Sequence, residues 1–117
     1  MQVMEMTIGE KSFDIELEDS ITTQALMQRL PLSFAMTELN GNEKYVYLDV
    51  SLPMNASYSG QIHAGDVMLF GDDCLVLFYK NFRTIYSYTP IGKVSDAKSL
   101  QSALGRGKVT VQLSLKK

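Results

Sequence analysis

One cysteine and one histidine in 117 residues leave little material for metal or nucleophile chemistry. Cys74, being alone, excludes a disulfide framework and a cysteine-based zinc cluster within one chain. A Ser-His-acid triad has no support either, since G-x-S-x-G is absent and His63 is the sole histidine. Neither standard spacing of a Gly-rich phosphate loop occurs. Eleven basic against thirteen acidic side chains give a formal charge of −2, without the broad basic stripe that phosphate-dominated binding needs, so no nucleic-acid partner is expected. No apolar run approaches the roughly 20 residues of a membrane span. No basic-then-apolar leader precedes the first amphipathic segment, so the chain as given reads as cytoplasmic. Export stays open should a leader have been removed upstream of Met1.

What is present is a core. The chain is 45% hydrophobic and 21% charged, the profile of one domain over residues 1–117. At this size about two-thirds of the unfolded surface is buried on folding, enough to fold without a metal or a disulfide. Charge is skewed along the chain: residues 1–58 hold nine acids and three bases, and residues 59–117 hold four acids and eight bases. Lysines scattered over strand exteriors make a solvated face rather than an anion site.

Period-two alternation dominates. Met4, Met6 and Ile8, then Phe13, Ile15 and Leu17, alternate with polar residues across Gly9-Glu10-Lys11, which predicts a β-hairpin with one buried face. Asp19-Ser20 supplies N-cap oxygens for a helix carrying Ile21, Ala25, Leu26 and Leu30, stopped by Pro31. Strands follow at Leu32–Met36 and Tyr45–Leu48, separated by Asn40-Gly41, a dipeptide suited to a tight turn. The stretch Ser51–Gly65 has little periodicity and is the longest loop. Val67–Phe70 and Cys74–Tyr79 flank Gly71-Asp72-Asp73 as a second hairpin, and the latter strand, apolar on both faces, is central. After a short strand at Ile91–Val94, Ser95 or Asp96 caps a helix ending at Gly105, and Val109–Leu115 is the last strand. About eight strands and two short helices favour a mainly β closed barrel or sandwich with helices over its ends.

Few side chains invite chemistry. His63 lacks a neighbouring nucleophile to activate and is expected to pack its loop against the barrel. Cys74, among aliphatic neighbours, reads as a buried small hydrophobe. Asp72-Asp73 serves the geometry of a hairpin tip rather than a metal. The densest feature is Phe78–Pro90, with five aromatics in thirteen residues around Lys80 and Arg83. It fits an apolar groove anchored by Arg83, and it fits equally a barrel strand whose aromatics fill the interior.

The strings Leu39–Tyr45, Ile62–Gly71, Cys74–Arg83 and Tyr86–Gly92 together resemble a bacterial family of small cyclophilin-like proteins. The resemblance runs from the first hairpin to the last strand. It implies a reduced, closed eight-stranded antiparallel barrel with a helix at each end, and it does not by itself transfer an activity. True cyclophilins isomerise Xaa-Pro bonds with the arginine of a Phe-His-Arg segment. That segment is missing here, as is the Gln-Phe-Phe run of their central strand, while Phe82-Arg83 offers an aromatic and a guanidinium by analogy. The absence of tryptophan removes the usual cyclosporin contact and predicts insensitivity to that drug.

Three functions are weighed on this basis. The first is a binding module whose barrel-side groove takes a peptide segment or a small apolar ligand. Its groove uses Arg83, Phe82, Tyr86 and Tyr88, with Tyr45, Tyr47 and His63 from the long loops. The second is a weak peptidyl-prolyl isomerase with Arg83 as the electrostatic catalyst, a chemistry that needs no metal, nucleophile or cofactor. The third is a scaffold, for example a homodimer through exposed tyrosines.

Overall fold

The alternating segments do build a wall. In the computed structural model, which describes residues 2–116, β1 (Val3–Ile8) and β2 (Lys11–Leu17) pair antiparallel from Val3 opposite Glu16 to Ile8 opposite Lys11. They are followed by α1 (Ile21–Met27), β3 (Leu32–Leu39) and β4 (Glu43–Tyr47). The third to fourth strand turn has Asn40 at φ 56° and Gly41 at φ 69°, the paired left-handed conformation that an Asn-Gly dipeptide accepts at least cost. Next come β5 (Gln61–Ile62), β6 (Asp66–Phe70), β7 (Cys74–Phe78) and β8 (Phe82–Arg83). Then β9 (Thr89–Val94), α2 (Leu100–Leu104) and β10 (Val109–Leu115) complete the order.

Eight of these strands close into an antiparallel barrel in the order β1, β10, β3, β4, β7, β6, β9, β2. Closure leaves no unpaired edge in the main sheet. Met4, Met6, Ile15, Met36, Leu69, Leu75, Leu77, Ile91, Val111 and Leu113 fill the interior at 3% exposure or less. Leu26 of α1 and Leu100 and Leu104 of α2 are buried in the same core. At one point the wall is closer than a side chain permits. A Cβ on Gly92, opposite Leu17 on the seam between β9 and β2, would overlap the Glu16 carbonyl oxygen. Among the described residues no helix is long and apolar enough to cross a membrane.

One interior position is charged. Lys44 alternates with Glu43 and Tyr45 and so points inward, fully buried, where its Nζ donates to Gly105 O at 2.9 Å and Gly107 O at 2.6 Å. Glu38 Oε1 accepts at 2.9 Å and completes the ammonium's three donors. Glu38 in turn accepts from Tyr79 Oη at 2.7 Å and from the Gly41 N–H at 2.7 Å. Burial alone would raise the Glu38 pKa, but these hydrogen bonds outweigh it and hold the carboxyl below its ordinary value, while burial pushes Tyr79 up to about 12.

Several expectations are corrected. The first helix stops at Met27 instead of running to Leu30, because Arg29 and Leu30 N–H groups tighten onto the Leu26 and Met27 carbonyls ahead of Pro31. Its cap is Ser20, whose Oγ accepts from Thr23 N at 3.1 Å. Neither Ser95 nor Asp96 caps the second helix: Asp96 Oδ1 closes a local turn onto Lys98 N at 3.1 Å, and α2 begins later, behind Ser99, which makes no side-chain cap bond. The long Ser51–Gly65 segment is not wholly irregular, since its Gln61-Ile62 end pairs with Phe82-Arg83 as a separate two-stranded ribbon.

Candidate functional site

The ribbon creates a second core outside the barrel. Strand alternation on β7 sends Leu75 and Leu77 inward and Cys74, Val76 and Phe78 outward, and all five are buried. Their cover is Ile62 of β5, Phe82 of β8 and Tyr88, the last held by reciprocal hydrogen bonds between the Ser57 and Tyr88 backbones. Phe78 stands at the centre, its ring 5.6 Å from Phe82 and 5.4 Å from Tyr88. Phe70 continues the row at 5.7 Å from Tyr88 and 5.9 Å from Tyr86. Such edge and tilted pairs each contribute about 0.5–1.5 kcal/mol beyond the area they bury. The two readings of Phe78–Pro90 are both met in part: Phe78, Phe82, Tyr86 and Tyr88 lie outside the wall, whereas Tyr79 is buried with the barrel core.

Between this cover and β4 runs a groove of about 590 Å³, within the range of small-ligand sites. Tyr45, Tyr47, Phe82, Arg83, Tyr86 and Tyr88 all line it. Tyr45 and Tyr47 reach it from β4 rather than from a long loop, because they share the strand's outer face. Tyr47, Tyr86 and Ile85 form an exposed rim, at 66%, 56% and 83% exposure. Arg83 lines the groove beside Phe82, and among the described ion pairs its guanidinium takes part in none.

His63 does not line this groove. It lies on the turn into β6 with its side chain exposed, Nδ1 4.0 Å from Asp66 Oδ2, while Asp66 Oδ2 accepts the His63 backbone N–H at 2.9 Å. Asn81 Oδ1 accepts from Ala64 N at 2.7 Å and ties the same turn to the root of β8. The role of this turn in the fold is to hold the ribbon against β6.

Three groove residues escape a sequence reading. Phe70, the last residue before the Gly71 turn, reads as the end of a barrel strand. Cys74 sits in the floor, its thiol pushed up to about 11 first by burial and then by the charges of Asp73 and Glu43. Glu43 is the third. It is 9% exposed, and burial, reinforced by the Glu38 charge, raises its pKa to about 7. Its signal was available, since Glu43, Tyr45 and Tyr47 follow the period of two that puts them on one face. Among the described residues no three His, Cys, Asp or Glu side chains gather as a metal site. A wider hollow of about 800 Å³ over α2 is lined by Glu38 and Tyr79, whose polar atoms already satisfy one another.

With the barrel and its outer groove in place, comparison with known proteins gives the class. A cyclophilin-like family model matches residues 6–114, and the chain belongs to that family. The fold is similar to the solution structure of a hypothetical protein from Archaeoglobus fulgidus, with a TM-score of 0.74 over 98% of this chain and 95% of that one. At 16% identity this likeness shows the fold alone. No curated protein matches the chain.

Proposed function

We propose that this chain is a binding module whose outer groove takes a short peptide segment or a small apolar ligand. The observation that carries this reading is the row of outward aromatics ending at the unpaired guanidinium of Arg83. Apolar walls supply contact area, and a few fixed polar groups supply orientation. Tyrosines at the rim add hydroxyls at small entropic cost, because each has two side-chain torsions to fix. Arg83 suits a backbone carbonyl or a carboxylate, either of which its planar fork can engage.

A second reading, weak peptidyl-prolyl isomerisation, is favoured by the adjacency of Phe82 and Arg83 at the groove. The barrier to amide rotation is about 18–20 kcal/mol, and it falls as the amide loses resonance. A guanidinium that hydrogen-bonds the proline nitrogen lowers it, while an aromatic wall grips the ring.

One experiment addresses both. Two-dimensional NMR exchange on an Xaa-Pro tetrapeptide, with the protein's own amide shifts recorded, is expected to move amides in 42–47 and 82–88. Accelerated cis/trans exchange would add isomerase activity to binding. Unmoved amides across several peptides would overturn the peptide reading, and a scaffold role through the exposed tyrosines would then be tested by sedimentation.

A further inference from the structure

Glu43 is a charge-bearing group without a partner. No ion pair or side-chain hydrogen bond among the described residues involves its carboxyl. Lys44, next in the chain, faces the barrel interior and is committed to Glu38 and two carbonyls. Arg83 lines the same groove without pairing to it. The other titratable groups acting around Glu43 are Glu38, the Cys74 thiol and the Tyr79 and Tyr88 hydroxyls, none of which brings positive charge. Asn42, the preceding residue, also lines the groove, and its Oδ1 is buried with no hydrogen-bond partner. Buried acceptors are ordinarily satisfied, so the orphaned Asn42 Oδ1, next to a largely buried carboxyl that has no counter-charge, marks the place of a missing donor at this end of the groove.

The surrounding rings narrow the chemistry. Tyr45, Phe82 and Tyr88 line the groove with Glu43, and aromatic faces attract cations. Glu43 is 9% exposed at the Phe78 end of β4, while Tyr47, opposite Cys74 at the other end, makes the exposed rim of the same groove with Tyr86 and Ile85. A group reaching it must therefore be carried on a slender stem that is content among rings. A quaternary ammonium would leave Asn42 Oδ1 unsatisfied, because it has no N–H.

We propose that the groove selects a primary ammonium group on an unbranched apolar stem, with the Glu43 carboxylate and Asn42 Oδ1 as its acceptors. This rests on the reading of the groove as a binding site. Two sources carry that chemistry, a lysine side chain in a peptide and a free alkylamine. Both place methylenes against the rings and the charge at the floor.

The test is an amide-shift NMR titration of the full chain at about pH 7.5. Its probes are Nα-acetyl-lysine N-methylamide and pentylamine, with Nα-acetyl-norleucine N-methylamide and pentanol as neutral counterparts. Each ammonium probe is expected to bind about ten-fold or more tightly than its counterpart, as for one charged hydrogen bond. The preference should vanish in Glu43→Gln and, in the unsubstituted protein, shrink as pH falls through about 7 and the carboxyl protonates. Tighter binding of the lysine probe than of pentylamine would assign a peptide, and the reverse a free amine. Neutral probes binding as tightly as ammonium probes would overturn the inference and leave the groove reading intact. No probe moving any groove amide would overturn both.

Discussion

Glu43 and Lys44, adjacent on β4, leave the strand in opposite directions, the carboxyl into the outer groove and the ammonium into the barrel, where it meets Glu38 at 2.9 Å. The consequences of changing them therefore separate. Lys44→Met removes the donor shared by Gly105 O, Gly107 O and Glu38 and is expected to cost about 2–4 kcal/mol, less than the roughly 3–5 kcal/mol of a fully buried pair because Glu38 is partly hydrated and keeps the Tyr79 and Gly41 donors. Denaturant unfolding reads this directly. A variant as stable as the parent would show that the cluster contributes nothing.

Glu43 makes stability fall with rising pH. Its carboxyl holds a proton more tightly in the folded state, pKa about 7, than in the unfolded chain at 4.5. The folded state consequently carries the extra proton between these values. The contribution is complete below about pH 4.5 and is lost as pH rises through 7. Glu43→Gln should flatten that slope and gain about 1–3 kcal/mol at pH 8 relative to the parent. The check is unfolding free energy at several pH values from 5 to 8, and identical slopes for the two proteins would refute the assignment.

The seam between β2 and β9 depends on Gly92. Gly92→Ala forces a Cβ into the Glu16 carbonyl, with the Ile15 side chain 3.0 Å away, and is expected to destabilise by about 1–3 kcal/mol. Gly107→Ala is the matched control, because nothing lies within 4 Å of its added Cβ. Thermal melts of the two should differ by several degrees, and equal melts would mean the seam relaxes freely.

Much of this architecture was legible locally. The Met4–Ile8 and Phe13–Leu17 alternation and the Asn40-Gly41 turn each state their conformation within a few residues. The ribbon did not. Two-residue strands have no period to detect, and the pairing of Gln61-Ile62 with Phe82-Arg83 is decided by a chain path some twenty residues long. That ribbon is what buries both faces of β7 and turns Phe82, Tyr86 and Tyr88 into the wall of a groove. Loop membership groups His63 with those residues, but a loop's sequence does not say which way its turn faces. Glu43 was hidden for a different reason. Alternation places it beside Tyr45 and Tyr47, yet its missing partner is a property of the assembled site.

Cys74 offers a simple reading of how closed the groove floor is. Burial holds its thiol up at about 11, so almost no thiolate is present at pH 8. Iodoacetamide should leave the native protein unmodified by mass spectrometry and label it once after unfolding in guanidinium. Rapid native labelling would mean that the floor opens.

The most direct test of the groove as a binding site is the tetrapeptide NMR titration repeated on Arg83→Ala. Arg83 is exposed and makes no ion pair among those described, so its loss should leave stability unchanged and weaken binding by about 1–3 kcal/mol. Shifts confined to the groove strands and loops, with that loss of affinity, are the predicted result. Shifts centred on α2, or an affinity indifferent to Arg83, would contradict it.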